Sequence, residues 1–322
     1  LYIDHLQQES IDPPIVRFFR DQEPEHVTRS EGIDYAWVYH VPDPLPRALL
    51  PYDHPAEVSF GEAISLLGYD LETKDSTVGI DLYWQVSQKQ DYILHLKVVN
   101  SVYHIWGEQK SQLSCRADPR QDRCKGLVMG NRRTIDILPG TPPGSYQVAV
   151  YLYDPHNERW LESQNGTEVL LGPVEVPRRE PPPIESLDIE HWSGVDLDGR
   201  LRLLGYNLES GFRPGDNIHL TLFWQALTRM EESYTVFTHL LDSEGKLWGQ
   251  RDNQPVDGVY PTTNWQTGEI VRDQYDITIA PEAPPGQYTI EVGMYLPASG
   301  ERLRWGEGGG EDKIVVKVWV GG

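Results

Sequence analysis

The residues best suited to chemistry lie in one polar and aromatic stretch, WGQRDNQPVDGVYPTTNWQTGEIVRDQ, which begins at Trp248. An aromatic ring can stack on the C–H face of a pyranose, and planar amide or carboxylate groups can bind its hydroxyls. Long loops on a rigid framework are also common binding sites. The stretch therefore predicts a carbohydrate-binding site formed by Trp248, Asp252, Tyr260 and Trp265. The alternative is a self-packed loop whose aromatic side chains form its own core.

The only two cysteines of the sequence, Cys115 and Cys124, lie in the segment SCRADPRQDRCKG. Their short separation suits a disulfide that closes a loop or hairpin, which would place the chain outside the reducing cytosol. Two free thiols are the alternative. A zinc site would require a second cysteine pair or a nearby histidine pair, and the sequence has neither. We therefore predict a disulfide and no metal site.

Two pairs of acidic residues, Glu62 with Asp70 and Glu269 with Asp273, could be read as the carboxylates of a glycosidase. The chain has 49 Asp and Glu residues, so pairs at such spacings arise by chance. The GxSxG turn of many serine hydrolases does not occur in the sequence. The sequence thus predicts no catalytic residue and no cofactor for this chain.

The charge balance excludes one class of partner. The formal net charge is −21 and the isoelectric point is about 4.8, so the surface repels phosphate backbones and nucleic-acid binding is not expected. Mean hydropathy is −0.50, and the sequence contains no run of about 18 apolar residues that would cross a membrane. Because no signal peptide opens the chain either, we expect it to be an excised fragment of a longer protein.

Several motifs occur twice at matching positions, which indicates that one module is repeated. LLGYDLE and IDLYWQV are followed much later by LLGYNLE and LTLFWQA, and PPGSYQVAVYLYDP is matched by PPGQYTIEVGMYLP. The paired segments alternate apolar and polar residues, as half-buried strands do. We predict two tandem antiparallel β-sandwiches, immunoglobulin-like or jelly-roll-like, at residues 56–177 and 185–322, joined by a Pro-rich linker at 178–184. Trp84 and Trp224 should occupy matching core positions.

Residues 1–52 have a different pattern, typical of a small α/β segment. In IDPPIVRFFRDQ, Asp12 is suited to cap a short helix that has prolines in its first turn. EHVTRS and GIDYAWVYHV then predict two strands joined at SEG. The complete fold prediction is therefore mainly β, with this small α/β segment before the two sandwiches.

The run FFRDQEPEHVTRSEGIDYAWVYHVPDP resembles the segment that follows the last membrane helices in bacterial family 39 glycosyltransferases, relatives of the dolichyl-phosphate-mannose-protein mannosyltransferases. The β-modules of such proteins are similar in LLGYDLE, YWQ, YPTTNWQTGEIV and PPGQYTIEVGMY, so the resemblance covers nearly the whole chain. Those enzymes use a polyprenyl-phosphate sugar as donor, and their catalytic acid lies in a loop between membrane helices. Since this chain has no such loop, no catalytic residue carries over to it.

The resemblance implies a non-catalytic extracytoplasmic accessory region of a membrane glycosyltransferase, acting as a scaffold or contacting glycan or acceptor. Its implied partners are the membrane-embedded part of the same polypeptide and a glycan or acceptor substrate. The region would be attached to the membrane through a transmembrane part that lies N-terminal to it. The alternative is a free-standing carbohydrate-binding or cell-surface adhesion protein. A signal peptide upstream of Leu1, in place of about ten hydrophobic helices, would favour that alternative.

Overall fold

The computed structural model describes residues 2–4, 23–30, 33–38, 52–86, 91–113, 128–306 and 310–321. Their structure is mainly β and their sheets are antiparallel, which confirms the predicted fold class. Three short 3-10 helices occur among these described residues, at Ile184–Ser186, Val256–Gly258 and Thr262–Asn264. Within these ranges, no helix has the length and apolar character needed to span a bilayer.

The N-terminal segment forms a three-stranded sheet of β1 (Tyr2–Asp4), β2 (His26–Ser30) and β3 (Ile33–Val38). The central strand is β3, and it pairs antiparallel with both others. The two strands predicted on either side of SEG are therefore β2 and β3. The helix predicted after Asp12 lies outside the described residues, as do Cys115 and Cys124.

Two antiparallel sheets form the first repeat. Their order is β4-β5-β6-β9 and β8-β7-β10-β12, and the two-residue β11 pairs with the end of β10 on the same edge as β12, opposite β7. Along β6, every second residue is buried, which is the pattern of a strand with one face on the core. The strands are β4 (His54–Phe60), β5 (Ile64–Lys74), β6 (Thr77–Val86), β7 (Tyr92–Val99), β8 (Ile105–Leu113), β9 (Val128–Asp136), β10 (Gly144–Asp154), β11 (Arg159–Trp160) and β12 (Val169–Val176).

The second repeat has the same strand order, β13-β14-β15-β18 and β17-β16-β19-β20. In both repeats the first three strands are consecutive in one sheet. The strands are β13 (His191–Leu197), β14 (Leu201–Leu208), β15 (Asn217–Ala226), β16 (Thr235–Asp242), β17 (Leu247–Gln250), β18 (Ile270–Thr278), β19 (Gly286–Tyr295) and β20 (Ile314–Val320).

The repeated tryptophans occupy matching core positions. Trp84 on β6 is in register with Leu66, and Trp224 on β15 is in register with Leu203. Both indoles have no solvent exposure, which confirms that each is buried. One hydrophobic cluster extends through both repeats, and a second, smaller cluster lies around Phe223 of the second repeat.

The glycine of each LLGY motif lies where the strand register shifts. The shift falls between Leu66 and Gly68 in β5, and between Leu203 and Gly205 in β14. A Cβ on Gly205 would come 2.3 Å from the carbonyl oxygen of His191, so no other residue fits there without movement. A Cβ on Gly68 would come 2.1 Å from the Tyr52 ring, so a close approach at a bulge explains why glycine occurs in both copies.

The duplicated PPG-x-Tyr motif forms a tyrosine corner in each repeat. The Tyr146 hydroxyl donates a 2.7 Å hydrogen bond to the carbonyl oxygen of Pro142, and the Tyr288 hydroxyl donates one of 2.6 Å to that of Pro284. Both tyrosines are buried near the start of a central strand, β10 or β19. This hydrogen bond between a strand and the turn before it is a hallmark of immunoglobulin-like sandwiches.

Candidate functional site

The loop predicted to bind carbohydrate connects β17 to β18. Two of the four residues predicted to form the site are buried. Tyr260 is 5% exposed and Trp265 is 1% exposed. The indole Nε1 of Trp265 donates a 3.0 Å hydrogen bond to the carbonyl oxygen of Tyr260. A sugar cannot stack on a ring that the protein itself covers. These two residues form the core of the loop, which is the alternative that the sequence left open.

The other two predicted residues keep some solvent exposure but are engaged elsewhere. Trp248 is half-buried, and its Nε1 donates a 2.7 Å hydrogen bond to Oδ2 of Asp242, which lowers the pKa of that carboxyl. The ammonium of Lys246 lies 3.7 Å from the centroid of the Trp248 ring. Asp252 lies 3.0 Å from Nε2 of His239. The four predicted residues therefore do not share one open surface.

The same loop and the strand after it dock on the first repeat. Nε2 of His104 lies 3.1 Å from Oδ2 of Asp257. The backbone N–H of Arg272 donates a 2.9 Å hydrogen bond to the carbonyl oxygen of Gly140. Together with the hydrogen bond from Gln274 Nε2 to the carbonyl oxygen of Ile105, at 3.3 Å, these contacts fix the second repeat against the end of the first. We call this set of contacts the joint.

The linker is held to the joint through Glu269. Its carboxylate forms an ion pair with Arg178 and accepts a 2.7 Å hydrogen bond from the Tyr260 hydroxyl. It also accepts a 2.8 Å hydrogen bond from the backbone N–H of Gln266. Burial and the bond to Glu269 raise the pKa of Tyr260 well above its usual range. Glu269, one of the acidic residues noted in the sequence, therefore has a structural role.

A strained turn at the joint is supported by a buried carboxyl. Val256 and Asp257 have φ values of 57° and 51°, a left-handed conformation that is rare for a β-branched residue. The backbone N–H of Val256 donates a 2.8 Å hydrogen bond to Oδ1 of Asp273, and the Tyr275 hydroxyl donates one of 2.7 Å to Oδ2. Complete burial raises the pKa of Asp273 to about 7, although these hydrogen bonds favour the charged form.

The other acidic pair noted in the sequence also makes structural contacts. Asp70 accepts hydrogen bonds of 2.6 Å from the backbone N–H of Asp53 and 3.1 Å from the Tyr83 hydroxyl. Glu62 lies in the exposed turn between β4 and β5. Among the residues that the structure describes, no group of three or more His, Cys, Asp or Glu side chains is placed to hold a metal ion.

A cavity of about 520 Å³ lies between the linker and the joint. Nη2 of Arg179, which lines it, is buried and has no hydrogen-bond partner among the described residues. Because residues of the linker and of both repeats form the walls, the position of the linker determines the shape of the cavity. The lining residues are Asp75, Ser76, Ile137, Leu138, Pro139, Gly140, Thr141, Pro143, Pro177, Arg179, Glu180, Pro181, Pro182, Pro183, Ser186, Glu269 and Ile270.

An aromatic cluster that the sequence analysis does not predict lies on the outer face of the first repeat. Trp160 on β11 is 46% exposed, and its ring centroid lies 5.2 Å from that of Tyr153 and 6.0 Å from that of Tyr151. His95 on the neighbouring β7 lies 6.3 Å from the Trp160 ring. The alternation in VYLYDP could have indicated this cluster, because residues two apart in a strand lie on the same face. It puts both tyrosines on one face of β10, and Trp160 follows after a turn.

Comparison with known proteins assigns no family. No protein-family model matches the chain, and neither does any curated protein. Solved structures that match include β-glucuronidase from Ruminococcus gnavus in its apo form and in complex with D-glucuronic acid, each with 11% identity and a TM-score of 0.21. The matches cover 77% of this chain but only 37% and 38% of those chains. At this TM-score the likeness carries no argument about function.

Proposed function

We propose that the chain is a non-catalytic extracytoplasmic accessory region of a membrane glycosyltransferase, acting as a scaffold that contacts the glycan or acceptor substrate. The sequence support is the resemblance of residues 18–44, and of the β-modules, to family 39 enzymes. The structural observation that carries the scaffold role is the joint, because it holds two sandwiches in one fixed arrangement.

The joint is suited to a scaffold because it combines buried apolar and polar contacts. Tyr260 and Trp265 are buried in the loop of the second repeat, and that loop meets the first repeat through His104. Glu269 then connects the loop to Arg178 of the linker. Motion between linked domains is the default unless the interface is extensive, so such contacts favour a rigid arm.

The proposal can be tested in the longer protein that contains this chain. We would express the complete reading frame in membranes and measure transfer from a polyprenyl-phosphate sugar to an acceptor. A version lacking residues 56–322 serves as the comparison. We expect the deletion to raise the KM for the acceptor at least tenfold, because the arm positions that substrate, and to change donor use much less.

Two results would contradict this function. Sugar transfer by residues 1–322 alone would show that the chain is itself an enzyme. A reading frame that carries only a signal peptide before Leu1 would remove the membrane partner. The second result would favour the free-standing carbohydrate-binding protein, a candidate that the exposed aromatic cluster at Trp160 also supports.

A further inference from the structure

The aromatic cluster of the first repeat borders an open recess. The recess has a volume of about 220 Å³ and is lined by His95, Lys97, Tyr151, Trp160 and Thr167. The two tyrosine rings meet the indole at steep interplanar angles, 68° for Tyr151 and 65° for Tyr153. These contacts hold Trp160 against the sheet while nearly half of its surface remains open. A fixed, exposed indole beside a recess of this size is suited to stack on a sugar ring.

Hydrogen-bonding groups surround the recess. The Tyr151 hydroxyl donates to Glu168, and Nζ of Lys97 lies 5.6 Å from the centroid of the Tyr151 ring. His95 lies 3.0 Å from Oε2 of Glu108, and burial lowers the pKa of this histidine so that its neutral form is favoured at neutral pH. These groups place two cations, Lys97 and Lys110, near two carboxylates, in a chain whose net charge is −21. An uncharged ligand rich in hydroxyls fits this balance better than an acidic one.

The second repeat fills the equivalent position with its own side chains. In β16 and β19, Phe237 pairs with Gly293 where His95 pairs with Tyr151 in the first repeat. A Cβ on Gly293 would come 2.5 Å from Cζ of Phe237, so this ring occupies the space. The guanidinium of Arg302 then lies 4.2 Å from the centroid of the Phe237 ring. Only the first repeat therefore keeps an open aromatic recess at this place in the sheet.

We propose that the outer face of β7, β10 and β11 is a carbohydrate-binding site for a neutral hexopyranose of a glycan. Trp160 stacks on the C–H face of the sugar, and Tyr153 supports the indole. Lys97 and Glu168 bind hydroxyl groups at the rim. The inference rests on the glycan-contacting part of the proposed function and moves that contact from the loop around Trp265 to the first repeat.

The test is direct binding to residues 1–322, with no membrane enzyme present. We would follow tryptophan fluorescence and NMR chemical shifts while adding methyl glucoside, methyl mannoside, methyl galactoside, N-acetylglucosamine and tetrasaccharides of the same four sugars. We expect saturable binding of at least one sugar, with a Kd in the millimolar to micromolar range, roughly 10⁻³ to 10⁻⁶ M. Trp160→Ala should raise that Kd at least tenfold, and Trp160→Tyr should raise it less.

The matched control is Trp319→Ala, which removes another exposed indole, 64% exposed and located on β20 of the second repeat. It should leave the Kd unchanged. The proposal is overturned if none of these sugars binds, or if Trp160→Ala and Trp319→Ala change the Kd equally. Thermal unfolding of each variant identifies any loss of folding, and Tyr153→Ala provides a second probe of the site. Binding here is independent of sugar transfer by the longer protein, so the two proposals can fail separately.

Discussion

His104 of the first repeat and Asp257 of the second form a direct contact, with 3.1 Å between Nε2 and Oδ2. Asp257 also accepts hydrogen bonds of 2.9 Å from Arg251 and 2.6 Å from Asn253. The contact therefore ties the left-handed turn at Val256 to the other repeat. Because one partner is a histidine, the stability of this joint should depend on pH.

Replacement of His104 should reveal that dependence. Burial lowers the pKa of His104, although the nearby Asp257 raises it. The unfolded chain therefore takes up this proton at a higher pH than the folded chain, so the contribution of His104 to the free energy of unfolding decreases as the pH falls through about 6.5. In urea unfolding between about pH 7.5 and 5, we expect His104→Gln to lose less stability than the wild type. Equal losses would contradict the assignment.

Replacement of Asp273 should have the opposite effect on the pH profile. Its pKa is raised from 3.8 to about 7, mainly by burial, so the folded chain retains this proton more strongly than the unfolded chain. The contribution of Asp273 to the free energy of unfolding should therefore decrease as the pH rises from about 4 to about 7, and Asp273→Asn should lose less stability than the wild type over that range. Asp276→Asn changes an exposed position of the same strand and is the control. Its free energy of unfolding should follow the wild-type pH profile. Parallel pH profiles for the wild type and Asp273→Asn would refute the prediction.

The linker should become more accessible when its ion pair is removed. Glu269→Gln weakens the pairing with Arg178, so the linker should leave the joint more often. Limited trypsin digestion after Arg178 or Arg179 should then be several-fold faster than in the wild type, because proteolysis follows the population of the open form. Glu180→Gln makes the same change in charge at an exposed linker position and is the control. Equal cleavage rates in both variants would show that the ion pair does not hold the linker.

The two core tryptophans should contribute strongly to stability. Trp224→Ala or Trp84→Ala should each cost about 3–5 kcal/mol, since each removes a fully buried indole and leaves a cavity. Trp192→Ala removes an indole that is 57% exposed and should change the free energy of unfolding by about 0.5 kcal/mol or less. Chemical denaturation measures all three. If all three variants lost a similar free energy of unfolding, burial of the indole would not determine the loss.

The disulfide between Cys115 and Cys124 stays a prediction, because both residues lie outside the described part of the chain. A loop of this length would stabilise the fold by roughly 2–3 kcal/mol in the chain-entropy model. Mass spectrometry of the native, non-reduced protein after alkylation should show neither thiol modified. Two alkylated cysteines would disprove the bond.

Local sequence patterns were sufficient to predict the fold class and the repeated core positions. Alternation of apolar residues assigns the inward face of a strand, so the buried positions of Trp84 and Trp224 could be predicted from their neighbours alone. The tyrosine corner spans only the five residues from Pro284 to Tyr288 and is encoded in one short motif. Such features depend on residues close together in sequence.

The use of the loop after Trp248 could not be decided in the same way. Aromatic rings beside amide and carboxylate groups are equally suited to a sugar site and to a self-packed joint, because both need stacking surfaces and hydrogen-bonding groups. The loop docks against His104 and Gly140 of the other repeat, and this contact favours the self-packed joint over the sugar site. It joins residues that lie far apart in the chain.

The open aromatic recess depended on tertiary structure even more strongly. His95, Tyr151 and Trp160 come from three strands, β7, β10 and β11, which become neighbours only when the sheet pairs. Whether their rings are exposed depends on what covers the face, and the equivalent face of the second repeat is filled by Phe237 and Arg302. The sequence determined which side chains point outward, because strand alternation is local. Only the paired sheet decided which of them meet, because non-local register brings them within contact distance.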